Sequence, residues 1–119
     1  MDPLVYSWES VDEDHPVPLI HRRRVFGDRM LVAQVRLDKG CHVAQHHHES
    51  EQIAYVVSGR VRWRLGEPGS EEYREVEMDG GNVVVLPSNF SHGVDALEDT
   101  LIFDILSPPG EMGIDRQTH

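Results

Sequence analysis

The sequence predicts an all-β domain, either a sandwich or a closed double-sheet barrel. Three observations carry this. Short segments alternate apolar and polar residues with period 2, turn-forming clusters separate them every ~8–12 residues, and no window has the 3.6-residue periodicity of a long amphipathic helix. Residues 15–26 (HPVPLIHRRRVF) open the series. In MLVAQVRL (30–37), Leu31, Ala33, Val35 and Leu37 share one face, with Met30, Val32, Gln34 and Arg36 on the other. QIAYVV (52–57) follows, and Ser58-Gly59 turns the chain into RVRWRL (60–65), where Val61, Trp63 and Leu65 oppose Arg60, Arg62 and Arg64. GEPGSEE (66–72) is a loop by its Gly, Pro and Ser content. EYREVEM (72–78) alternates again. NVVVLP (82–87) and TLIFDIL (100–106) read as short buried strands, each ended by a proline or a proline pair, with GVDAL (93–97) between them. About eight to ten strands result, in one domain spanning 1–119.

Composition excludes several classes. At 119 residues with 39% hydrophobic and 27% charged residues, the chain is of globular type and can form a core without staples. The formal charge of −10 argues against a broad nucleic-acid or anionic-lipid surface. Cys41 is the only cysteine, so no intramolecular disulfide forms. The acidic N-terminus lacks a signal-peptide pattern, and no apolar stretch approaches the ~18 residues of a membrane span. The expected location is the cytoplasm.

The chemistry concentrates in GCHVAQHHHESEQIAYVVSG, Gly40 to Gly59. Next-but-one residues of a strand share a face about 7 Å apart, so His46 and His48 can converge on one ion while His47 points away. Glu49-Ser50-Glu51 suits a hairpin turn, after which Gln52 or, one residue out of register, Glu51 returns beside the pair. His92, after the strand that ends at Pro87, offers a third imidazole. His42 and His47 read as non-ligands, and His15, His21 and His119 stand in no such pattern.

Two motifs here resemble those of the cupin superfamily. The first is Gly, five residues, His-x-His, three or four residues, Glu, six residues, Gly; residues 40–59 match it with Gln52 in place of the glutamate. The second is Gly, five residues, Pro-x-Gly, two residues, His, three residues, Asn; residues 81–96 match it, with Asn89 for its second glycine and Ala96 for its asparagine. The resemblance implies a single-domain jelly-roll β-barrel in which His46, His48, Gln52 and His92 bind one divalent transition metal ion. Imidazole-rich sites accept zinc, nickel, iron, cobalt, copper or manganese.

A late strand running Asp-x-x-Ser-Pro, Asp104 to Pro108, is similar to that of the pectin-degradation cupin KdgF group, whose members open unsaturated uronates. This implies a catalytic Asp104 on a lumen-facing strand, near the ion and kept ionised by it. The alternative is a structural acceptor for a barrel arginine. Leu106 stands at the group's aromatic position and Gly110 at its arginine, so Arg36, Arg62 or Arg64 would have to meet a substrate carboxylate. Alternation would pack Leu101, Phe103 and Ile105 between the sheets. The implied function is proton transfer, ring-opening or isomerisation on a small-molecule substrate such as a sugar acid. The other readings are a cupin dioxygenase or polyketide cyclase, and a non-catalytic small-molecule or metal-binding cupin. Leu4, Val5, Tyr6 and Trp8 could add a strand to a partner, so a homodimer is expected.

Overall fold

The structure, a computed structural model, describes residues 2–115; His119 lies outside them. After a 3-10 turn at Trp8–Ser10, ten strands follow: β1 Glu13–Asp14, β2 Ile20–Phe26, β3 Leu31–Leu37, β4 His42–His46, β5 Glu51–Ser58, β6 Arg60–Leu65, β7 Arg74–Asp79, β8 Val83–Leu86, β9 His92–Ala96 and β10 Thr100–Ser107. They form two antiparallel sheets, one of six strands in the order β1-β2-β3-β10-β5-β8, the other of four in the order β4-β9-β6-β7. Among the described residues no ladder closes them into a barrel. They face each other as a jelly roll around one core. No helix of the described residues is long and apolar enough to cross a membrane.

Alternation puts the expected faces inside. Leu31, Ala33, Val35 and Leu37 of β3 meet Val61, Trp63 and Leu65 of β6 across the core, all buried. Each such side chain stabilises the fold by roughly 1.5–3 kcal/mol relative to an exposed one. The chain changes sheet repeatedly, and two of these crossings shape the site. β4 and β5 lie in different sheets, so Glu49-Ser50-Glu51 is a crossover and not the expected hairpin. β5 and β6 also part at Gly59, whose φ of 94° and close approach to Asp99 and Thr100 exclude any side chain.

Two strands depart from expectation. β8 is the last strand of its sheet, with Val83 and Val85 exposed on its outer face, so it is not a buried strand. In β10, Ile102, Asp104 and Leu106 face the interior, while Leu101, Phe103 and Ile105 lie on the outer surface and not between the sheets. Alternation separates two faces but does not say which one a second sheet will cover.

Candidate metal centre

Three histidines meet at one end of the core. His46 closes β4, His92 opens β9 directly opposite it in the ladder, and His48 lies two residues beyond the end of β4. His48 is therefore not placed by strand alternation as expected; the crossover turns it back over the core. The ring centroids stand 4.3 Å (His46–His92), 5.0 Å (His48–His92) and 5.9 Å (His46–His48) apart. One ligand atom from each ring falls within 4.8 Å of the others. His47 is exposed, and exposed His42 pairs with Asp95 on the outer face.

Backbone carbonyls set the rings' tautomers. The Nδ1 atoms of His46, His48 and His92 donate to the carbonyl oxygens of Ala44, Ser50 and Phe90, at 2.8, 2.9 and 2.8 Å. A carbonyl only accepts, so each Nδ1 carries the proton and each neutral ring presents an Nε2 lone pair. His92 Nε2 is buried with no hydrogen-bond partner among the described residues. His48 Nε2 stands 2.9 Å from Gln52 Oε1. Both atoms are acceptors in this tautomer, an unfavourable pairing unless a cation lies between them. Two adjacent ligands on one ion, with bonds of about 2.0–2.1 Å, sit roughly 3 Å apart. The donor set therefore fits a divalent ion. Burial favours the neutral rings too: it pushes His92 down to about 3, with His46 adding to the effect, and lowers His46 as well.

Gln52 belongs to this set by register. On β5, Gln52, Ala54 and Val56 face inward and Glu51 faces solvent. Gln52 pairs with Leu106 of β10, and its Nε2 donates to Asp104 Oδ1 at 2.8 Å. Asp104 is buried, and burial pushes its carboxyl up to about 7 despite the Gln52 bond. Within the protein alone, burial thus opposes the ionised state expected from a neighbouring cation. Among the described residues no arginine pairs with Asp104, so the structural-partner alternative is without support.

Asp104, Gln52, His46, His92 and Trp63 line one interior cavity of ≈ 40 Å³. That is room for a few waters. The Trp63 indole N–H is buried and, like His92 Nε2, has no hydrogen-bond partner among the described residues; the two rings stand 6.4 Å apart between centroids. The chain after β10 roofs the cavity. Ser50 Oγ donates to Pro108 O, and Met112 and Ile114 drop into the core. Gly113, at φ 83°, lies so close to the His46 ring that a Cβ would collide with it.

The arginines expected from β3 or β6 do not line the cavity. Arg36, Arg62 and Arg64 lie on outer faces, where they pair with Glu13, Glu75 and Asp95. Arg22 of β2 points inward at 1% exposure. Its Nε and Nη2 donate to Asp14 at 2.9 and 2.8 Å, and its Nη2 and Nη1 donate to Asp115 of the roof at 2.7 and 3.3 Å. The run His21 to Arg24 looks in sequence like one charged edge. The inward alternation of Ile20 and Arg22 was the available signal.

Residues 33–107 match the family model of the cupin domain, well over half of the chain. The protein is a cupin. Among solved structures it is similar to KdgF from Halomonas sp., with 28% identity, a TM-score of 0.78, and coverage of 92% of this chain and 97% of that one. An RmlC-like cupin from Shewanella frigidimarina gives a TM-score of 0.80 at 19% identity, covering 92% of this chain and 95% of that one. A 49-residue stretch is 33% identical to acireductone dioxygenase 1 of Coprinopsis cinerea; it spans 41% of this chain and only 28% of that protein's length.

Proposed function

We propose that this cupin is a metal-dependent enzyme that moves a proton on a small oxygenated acid, in a ring-opening or isomerisation of the kind an unsaturated or keto-deoxy sugar acid undergoes. The observation that carries this is Asp104, a buried carboxyl hydrogen-bonded to Gln52 within the ligand set, facing the same cavity. His46, His48, His92 and Gln52 would hold the ion, whose contribution is Lewis acidity towards a carbonyl or hydroxyl oxygen. The rest falls to side chains of this chain. The Trp63 N–H donates to a substrate oxygen. Gln52, as an amide, orients Asp104 without competing for the proton. Asp104 Oδ2 accepts and returns the proton. Arg22 answers a substrate carboxylate once Asp115 swings away, because a cavity of ≈ 40 Å³ admits no sugar acid until Met112 and Ile114 withdraw. The likeness to KdgF supports this reading.

Asp104→Asn tests it. The substitution keeps the shape and removes the basicity, so turnover of an unsaturated uronate should fall by on the order of 10²-fold or more, with metal content unchanged. Normal turnover by the variant contradicts the assignment, and so does loss of its metal. The stretch similar to acireductone dioxygenase favours a second reading, a dioxygenase, which oxygen consumption by the iron-loaded protein would reveal.

A further inference from the structure

A second group of ligand atoms converges outside the interior site, on the rim beside β1 and β2. Glu13, His15 and His21 each offer one atom, and the three atoms lie within 4.8 Å of one another. Glu13 pairs with Arg23 across the β1–β2 ladder, and the turn through Leu19, at φ 70°, brings the chain back. His21 lies between Ile20 and Arg22, which both point inward, so its ring faces out beside Glu13 and stands edge-on to His15 at 5.0 Å between centroids.

The hydrogen bonds leave three acceptors facing each other. His15 Nδ1 donates to Ile20 O at 2.9 Å, which leaves a lone pair on Nε2. His21 Nε2 donates to Asp38 Oδ2 at 2.8 Å, which leaves a lone pair on Nδ1. Glu13 Oε2 accepts from Arg36 Nη2 at 2.9 Å and Arg23 Nε at 3.3 Å. The remaining atoms are His15 Nε2 and His21 Nδ1, each 3.7 Å from Glu13 Oε1. In the neutral rings none of the three carries a proton for the others. We infer that Glu13, His15 and His21 form a second site for a divalent transition ion, with Asp38 as the outer carboxylate that orients His21. A carboxylate behind a ligating imidazole is the usual support of such a ligand. Tetrahedral bonds of about 2.0–2.1 Å put ligands roughly 3.3 Å apart, so the two 3.7 Å contacts to Glu13 need shifts of a few tenths of an ångström, and the imidazole pair lies within 4.8 Å. Arg23 and Arg36, both bonded to Glu13, lower the local negative potential and so weaken the hold on a cation. The ion would tie β1 to β2 and, through Asp38, to the end of β3.

Calorimetric titration of untagged, chelator-stripped protein with Zn²⁺ tests this independently of the interior site, because it reads a difference in count. The wild type should bind one ion more per chain than His15→Ala/His21→Ala, and one more than His15→Ala alone, whose half-exposed ring contributes little to folding. Asp38→Asn should weaken that ion by about 10–100-fold. Equal counts in wild type and double variant overturn the inference. So does an extra ion that is indifferent to Asp38→Asn, which would mark adventitious chelation by surface histidines.

Discussion

An amide at position 52 does two things that a glutamate could not do together. Its oxygen faces His48 Nε2 and its N–H₂ holds Asp104 at 2.8 Å. A glutamate there would set two acidic groups against each other in a buried place, and one would have to keep a proton. For Gln52→Glu we therefore expect opposite effects with and without metal. Chelator-stripped variant should lose about 1–3 kcal/mol of stability through the broken buried bond, while its metal affinity rises with the added charge. Thermal unfolding with and without chelator, alongside a metal titration, checks both. Motif spacing singled out His46, His48, Gln52 and His92 in the sequence, although His48 reaches the cluster through the crossover and not by strand period. Arg22 and Trp63 were not legible there. The placing of Trp63 depends on which strand faces the cavity, and that of Arg22 on the Asp115 contact, 93 residues away in the chain.

At the scale of the element, the segment after β10 covers the cavity with Met112 and Ile114. Residues 108–115 form no strand, yet Met112 and Ile114 are buried, and Asp115 ties the segment to Arg22. The Arg22 guanidinium holds the Asp115 carboxyl below its usual range. For such a depressed acid, the stabilising contribution is present above the unfolded value near 3.8 and is lost as pH falls through the lower folded value. Asp115→Asn should therefore unfold at a lower temperature than wild type at pH 7, and the gap should shrink as pH drops below about 4. A gap that does not change with pH refutes the tie. No sequence signal marks this segment, since SPPGEMGID reads as a break and its docking rests on long-range packing. The strands were easier. Their existence follows from alternation, whereas the outward placing of β8 and of Phe103 depends on sheet order, which period 2 does not encode.

At the scale of the molecule, the outer surface of the six-stranded sheet carries exposed apolar side chains. Ladder registers align Val85, Ile53, Ile105, Val32 and Val25 in an apolar row across five strands, and Trp8 packs on Phe103 nearby at 5.7 Å. The row begins on edge strand β8, whose exposed valines lack the charges that blunt such edges. Leu4, Val5 and Tyr6 are exposed as well. We propose that a second copy of the chain covers this surface through a two-fold contact. Sedimentation at micromolar concentration should give twice 13.6 kDa, and Val83→Lys/Val85→Lys should give the monomer. A wild-type monomer would contradict the proposal.

The three Nε2 atoms of His46, His48 and His92, with Gln52, would hold one ion. Elemental analysis of untagged, dialysed wild type, His47→Ala and His48→Ala tests it most directly. His47→Ala should keep the wild-type metal content, and His48→Ala should lose one ion per chain. Wild-type metal content in folded His48→Ala would contradict it.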